Sequence, residues 1–280
     1  MAAGYGLAMS STLTIGDHLR LWRQRRRMSQ LDCALEADIS ARHLSFVETG
    51  RAVPSREMVL RLAERLEVPL RERNLMLIAA GYAPMFPERD LADPALGAAR
   101  AAIDLILAAH EPFPALAIDR HWTLVSANRM VMHLLAGIAA ELLVPPVNVL
   151  RLSLHPRGLA PRIVNLGEWR AHIFQRLRRQ IDLTADAGLM ALLEELRGFP
   201  APDGRAWREV RGGEAMAAVV PLQLSSEAGT LSFISTTMMF GTPVDITLAE
   251  LAVESFFPAD GMTADILRQM GGGEAGGQRR

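Results

Sequence analysis

Ser45, Phe46 and Thr49 lie three, four and seven positions beyond Arg42 in the stretch SARHLSFVETGR. On a helix that spacing gathers all four on one face and turns Leu44 and Val47 to the other. A guanidinium fork can hold guanine O6 and N7 together, hydroxyls can meet base edges, and a ring can touch a thymine methyl. The same Arg42 also fits a phosphate contact or a solvated side chain. An inward side of only two aliphatics suits a short helix laid on a small core with its polar face free.

A second group has apolar chemistry. Leu231, Phe233, Met238, Met239 and Phe240 share one segment, GTLSFISTTMMF, and Met130 and Met132 belong to ANRMVMHLL. Methionine and phenylalanine can line an adaptable cavity, although such spacings also build ordinary cores. The candidates for lining are Met130, Phe174, Leu177, Phe233, Met238 and Phe240. A carboxylate guest would need a cation, and Arg151, His155 and Arg176 offer one equally well.

Catalytic patterns are missing. There is no Gly-rich phosphate loop, no GxSxG elbow and no histidine pair at metal spacing. His155 and His172 stand seventeen residues apart without an acidic companion. A single cysteine, Cys33, excludes an internal disulfide framework and reads as a small buried residue.

The elements that must position these residues follow from periodicity and caps. Ile15, Leu19 and Trp22 form an apolar stripe at i, i+4, i+7, with Arg20, Arg23, Arg25, Arg26 and Arg27 around it. Ser29 is an N-cap, with Asp32 three positions on as an imperfect capping box. Cys33, Ala34 and Ala37 are the small inward residues of a second helix. Asp38 and Ile39 make a turn, Ser40 caps a third helix and Gly50 ends it. A fourth helix follows Pro54-Ser55, and a fifth runs from about Leu70 to Gly81. Two short helices joined by a tight turn, the second with an exposed polar face, form a helix-turn-helix, which lays that second helix in the DNA major groove.

The segment APMFPERDLADP, Ala83 to Pro94, has three prolines and no period, and reads as a linker. A helix from about Pro94 to His110 follows. Apolar runs Ala115–Ile118 and Trp122–Ala127 flank the turn Asp119-Arg120-His121, and Asn128 offers a cap for a helix. Strand, turn, strand, helix is how a PAS-type sensor fold begins. A long helix around Trp169 to Ile181 turns Ile173, Phe174 and Leu177 inward. Strands are expected at about Ala217–Leu224 and Thr230–Phe240, joined through Ser-Ser-Glu-Ala-Gly, and again within Leu248–Phe257 before a terminal helix.

Composition sets the frame. The 280 residues are 50% hydrophobic and 22% charged, which is a globular composition with room for two domains. All thirty basic residues are Arg, as a GC-rich codon bias produces. Through Pro84 there are twelve Arg against nine acids, about +3; the remaining eighteen Arg face twenty-two acids, about −4. A polyanion partner therefore belongs to the front. MAAGYGLAMSST lacks the plan of a signal peptide, and the apolar run Leu134–Leu150 is broken by Glu141 and Pro145-Pro146. The expectation is a cytoplasmic protein with no membrane partner.

The front segment resembles the helix-turn-helix of the xenobiotic-response-element-type repressors. More specifically, SARHLSFVETGRAVPSREMVLRLAERLEVPLRERNLMLIAAGYAP resembles the MmyB-like transcription regulators. IVNLGEWRAHIFQRL and FGTPVDITLAELAVESFFPAD carry the resemblance through the chain beyond Pro94. It implies that Gln30 holds a phosphate, that Ser40, Ala41, Arg42 and Ser45 face base edges, and that Arg51 grips the backbone. Phe46 departs from the polar reader often found at its position. The back domain is implied to be PAS-like and to hold a small apolar molecule, a fatty acid being the candidate effector.

The resulting expectation has four parts: a helix-turn-helix domain of five helices over 12–83, a linker over 84–94, an α+β PAS-like domain with an antiparallel sheet over 95–270, and a disordered tail over 271–280. Phe46 and Thr49 join the DNA-facing set. The partners expected are a double-stranded operator, a small apolar ligand and a second copy of the chain, with no metal or other cofactor. One alternative makes the back domain a dimerisation module only; an enzyme is the more distant alternative.

Overall fold

A computed structural model describes residues 13–201 and 219–272, and the chain divides into two compact units. The first holds the residues up to Arg89 together with Asp182–Thr184 and Thr242–Ala249; the second holds the remainder.

Five helices build the first unit: α1 (Ile15–Arg25), α2 (Gln30–Glu36), α3 (Ala41–Glu48), α4 (Arg56–Arg65) and α5 (Leu70–Ala79). Thr14, Ser29, Ser40 and Ser55 cap the first four through their hydroxyls. A cap of this kind contributes about 1 kcal/mol. The box at Ser29 is complete, since Asp32 Oδ2 accepts from both the backbone N–H and the hydroxyl of Ser29, at 3.2 and 2.6 Å. Leu19 and Trp22 from α1, Cys33, Ala34 and Ala37, and Leu44 and Val47 from α3 are at most 1% exposed. Gly16 lets α1 come close to the end of α3: a Cβ there would stand 2.6 Å from the Glu48 carbonyl oxygen. Gly50 ends α3 with φ 72°, the left-handed conformation that glycine adopts without strain.

The second unit is α+β. A five-stranded antiparallel sheet has the order β2-β1-β5-β4-β3, an order consistent with a PAS-like fold. Its strands are β1 (Ala115–Ile118), β2 (Leu124–Ala127), β3 (Leu222–Ser226), β4 (Gly229–Met239) and β5 (Ala252–Pro258). Its helices are α6 (Gly97–Ala109), α7 (Arg129–Leu134), α8 (Val149–Leu154), α9 (Leu166–Thr184), α10 (Ala187–Arg197) and, after α11 (Ile246–Ala249), α12 (Gly261–Gly272). One apolar cluster joins the sheet to α7, α8, α9, α10 and α12. The connection that carries α11 between β4 and β5 groups with the first unit. There Asp245 accepts from Arg89 at 2.7 Å, and the Ile246 N–H donates to the Pro87 carbonyl at 2.8 Å.

Several expectations shift in detail. Trp122 belongs to the turn and not to the second strand, because its φ is 66° and its N–H closes onto the Asp119 carbonyl. Asn128 occupies the cap position of α7 but does not cap it. Its amide instead accepts from Ala115 N–H and donates to the Leu107 and Phe113 carbonyls, tying β1 to the end of α6. The helix expected from Pro94 begins as a 3-10 turn over Pro94–Leu96. Residues 85, 86 and 88 of the linker are held to α5, the first two by Asn74 and Glu88 by Arg71. Gly271 and Gly272, expected in the tail, instead end α12; the first residues expected of the third strand, Ala217 and Ala218, and the rest of the expected tail, 273–280, lie outside the described residues.

Candidate functional site

On α3 the two sides separate as periodicity requires. Leu44 and Val47 are buried, while Ser40, Arg42 and Thr49 are exposed and Ala41, Ser45 and Phe46 are half-buried. Ser40 caps the helix by accepting from His43 N–H at 3.1 Å. Thr49 donates to the Ser45 carbonyl at 2.7 Å. The guanidinium groups of Arg42 and Arg51 stand 5.3 and 5.9 Å from the centre of the Phe46 ring. An aromatic face within 6 Å of two cations steadies both, so Phe46 acts as a platform between the two arginines.

Behind this face lies a buried charge network. Glu48 is 3% exposed and takes a bidentate contact from Arg23, at 2.7 and 2.9 Å. Gln30 Nε2 donates to the same carboxylate at 2.8 Å, and Arg20 donates to the Glu48 carbonyl at 2.6 Å. Burial raises the Glu48 pKa, but the hydrogen bonds from Arg23 and Gln30 outweigh it and leave the group below its ordinary value. The network ties α1, the start of α2 and the end of α3 together. It sets the angle between the two helices of the helix-turn-helix.

The second unit contains an apolar cavity of about 100 Å³. Leu116, Leu222, Leu224, Phe233 and Phe256 line it from the sheet, and Val131, Leu150, Leu152, Trp169 and Ile173 line it from the helices. Trp169, His172, Ile173 and Arg176 fall at i, i+3, i+4, i+7 on α9, so one helix face closes the cavity. Register explains the sheet side. Leu116 pairs with Glu254 across β1–β5, and Thr237 pairs with Glu254 across β4–β5, so the three share a face.

The polar end of the cavity consists of few groups. Arg176 reaches both oxygens of Glu254 and donates to the Thr237 hydroxyl at 2.5 Å, while Thr237 donates to Glu254 at 2.8 Å. The Arg176 guanidinium lies 4.6 Å over the Trp122 ring. Trp169 Nε1 donates to the Ser153 hydroxyl at 2.8 Å and stacks on His172, with ring centres 5.4 Å apart. Burial and the neighbouring Arg176 charge lower the His172 pKa, against a smaller opposing pull from Glu254.

Of the expected lining residues, Phe233 and Arg176 border the cavity. Met238 and Phe240 do not; they belong to a separate shallow groove with Ile103 and Val253. Side chains alternate along a strand, and Met238 has the opposite parity to Phe233 and Thr237. Met130, Phe174 and Leu177 are buried in the core beside the cavity without bordering it. Arg151 is paired with Glu195 at 2.6 and 2.7 Å, and the His155 ring packs on Phe199. Neither reaches the cavity. Sequence reasoning passed over Trp122, Trp169, His172 and Glu254. Glu254 had a signal: it is an acid two residues before Phe256 in an apolar strand, and so on that residue's face.

A helix-turn-helix unit followed by an α+β unit around an apolar cavity defines a DNA-binding transcriptional regulator with a ligand-binding domain. Residues 14–76 match a family described as a helix-turn-helix domain, and residues 99–270 match the MmyB-like transcription regulator ligand binding domain. The chain belongs to the MmyB-like transcription regulators. No curated protein matches. Among solved structures, an RNA-binding light-oxygen-voltage receptor is similar at 14% identity over 91% of this chain and 60% of that one. The TM-score of that match is 0.24. Among the described residues, no helix is long and apolar enough to cross a membrane, and no group of three or more His, Cys, Asp or Glu is placed to hold a metal.

Proposed function

We propose that the protein binds a roughly palindromic operator as a homodimer and that a small apolar molecule in the cavity changes its affinity for DNA. The cavity is the observation that supports this most: an apolar space in the second unit, large enough for more than one water yet with few polar groups. A domain serving dimerisation alone has no need of such a space. On the DNA side, Arg42 is the residue that reads a base, with Ser40, Ala41 and Ser45 beside it at base edges; Phe46 supports Arg42 and Arg51, and Gln30 and Arg51 take the phosphate backbone. A single helix-turn-helix spans few base pairs, so two copies are expected with recognition helices about 34–36 Å apart. The second unit supplies the dimer contact in this reading.

A long-chain fatty acid is the candidate that the sequence resemblance implies, and the apolar lining of the cavity suits the chemistry of an alkyl chain. Ligand acts on DNA binding through the difference between its affinities for the two arrangements of the dimer, a coupling of roughly 1–3 kcal/mol. β4 and β5 border the cavity, and the connection between them packs with the residues that follow α5, which gives the coupling a covalent route.

Native mass spectrometry of the purified chain, paired with operator binding before and after delipidation, tests the proposal. A retained small molecule and a changed operator affinity are expected. Phe233→Trp, which fills part of the cavity, should blunt the response and keep ligand-free DNA binding. Equal affinity in the loaded and stripped states would remove the sensor role.

A further inference from the structure

The cavity's polar end carries an unusual charge arrangement for a fatty-acid site. Among its lining residues, Arg176 and Glu254 are the two that are charged, apart from His172. They already neutralise one another: both Glu254 oxygens accept from Arg176, and Thr237 bridges the two. Trp122 covers one face of the guanidinium. Glu254 is 3% exposed, so its charge is compensated inside the protein and not by solvent.

A ligand carboxylate would bring a second negative charge to a single cation. One anion would then be left uncompensated in an apolar space, where an unpaired charge is costly. His172 offers no relief, because burial and Arg176 both disfavour its protonated form. An uncharged head meets no such penalty. The Ser153 hydroxyl accepts from Trp169, which leaves its own proton to donate. The His172 ring can donate to an ester or amide carbonyl, and the remaining lone pairs of Glu254 can accept from a hydroxyl or amide N–H.

We infer that the cavity selects an uncharged amphiphile, an alkyl chain ending in a hydroxyl, ester or amide, and that the Arg176–Glu254 pair excludes the ionised carboxylate. The inference rests on the proposed apolar-ligand role and replaces the fatty acid of that reading with an uncharged amphiphile. Glu254 is then the specificity-determining residue, since removing its charge frees Arg176 to take an anion.

The test uses the full delipidated chain at pH 8 with four probes sharing one chain length: 1-decanol, methyl decanoate, sodium decanoate and decylamine. Binding is read by calorimetry and by quenching of tryptophan fluorescence, because Trp122 and Trp169 line the cavity. Wild type should bind decanol and the ester at least tenfold more tightly than decanoate. Glu254→Gln, checked for a native circular dichroism spectrum, should narrow or reverse that ratio by gaining affinity for decanoate. Arg176→Gln should instead favour decylamine, giving a second variant with the opposite charge preference. Decanoate binding as tight as decanol in wild type would overturn the headgroup inference and leave the apolar-ligand role standing. Failure of decanol, the ester and decanoate alike would overturn that role itself.

Discussion

Each unit of the molecule buries one glutamate against one arginine, and the two pairs have different settings. Glu48 and Arg23 sit where three helices meet, with Gln30 and Arg20 adding further hydrogen bonds and side-chain exposures of 1% and 12%. Glu254 and Arg176 sit at the edge of a cavity, with side-chain exposures of 4% and 30%. The first pair is enclosed by packed atoms and can only hold helices in place. The second has space beside it, so a guest can compete for either partner. A buried ion pair thus fastens structure when its surroundings are filled and sets selectivity when they are not.

The largest expected effect separates the two. Glu48→Ala leaves Arg23 buried and Gln30 without its acceptor, and should destabilise the helix-turn-helix unit by about 3–5 kcal/mol. The same truncation at Glu254 should cost about 1–3 kcal/mol, because water entering the cavity can solvate Arg176. Urea denaturation of both variants checks this. Equal losses would remove the distinction between a filled and an open setting.

On the exposed side of the same helix, Arg42→Ala should cost about 1–3 kcal/mol at the cognate operator and relax preference at one base pair per half-site. Gln30→Ala should weaken all sequences alike, since a phosphate contact carries no sequence information. Gln30 also touches Glu48, so its variant should lose some stability as well, which Arg42→Ala should not. An Arg42→Ala protein with unchanged base preference in an operator-variant series would assign Arg42 to the phosphates.

The unequal legibility of the two units has a physical origin. In the first, the features that shape α3 are local: hydroxyl caps at Ser29 and Ser40, small inward residues at Cys33 and Ala34, and a left-handed Gly50. Sequence periodicity reads such features directly. Only long-range details escaped, namely the close approach at Gly16 and the capture of Gln30 by Glu48. In the second unit the strands could be found but their neighbours could not. Glu254 meets Arg176 across 78 positions of sequence, through a register that nothing local encodes. Methionine and phenylalanine type suggested a lining at Met238 and Phe240; strand parity sends Met238 to the other face, and Phe240 lies beyond the end of β4. Composition predicted an apolar cavity; the sheet order decided which residues border it.

Acid should act on the second unit through Asp186. Burial raises its pKa, but the hydrogen bond from His121, with the charges of His121 and Arg120, brings it down to about 2. A carboxylate whose pKa is depressed on folding adds stability above its unfolded value, about 3.9, and loses it as pH falls toward the folded value. Asp186→Asn keeps a residue able to cap α10 while removing the charge. The melting temperatures of wild type and variant should therefore differ at about pH 5 and converge as the pH falls toward 2. A gap independent of pH would mean that the charge contributes nothing.

The smallest signal in the native protein is expected at Cys33, and it sharpens the comparison because it reports on one unit alone. The chain has one cysteine, 1% exposed in the first unit's core. Burial pushes its thiol up to about 11, so both access and thiolate content are low at neutral pH. The native protein should show almost no reaction with a disulfide reagent at pH 8, and what reaction there is should follow opening of the helix-turn-helix unit. In that regime the labelling rate scales with the open population, and each 1.4 kcal/mol lost raises it about tenfold. Glu48→Ala should therefore speed labelling by a hundredfold or more, while Glu254→Ala leaves the rate near that of wild type. Equal acceleration by both variants would show that the units open together, and the two glutamates would then be supports of a single cooperative structure.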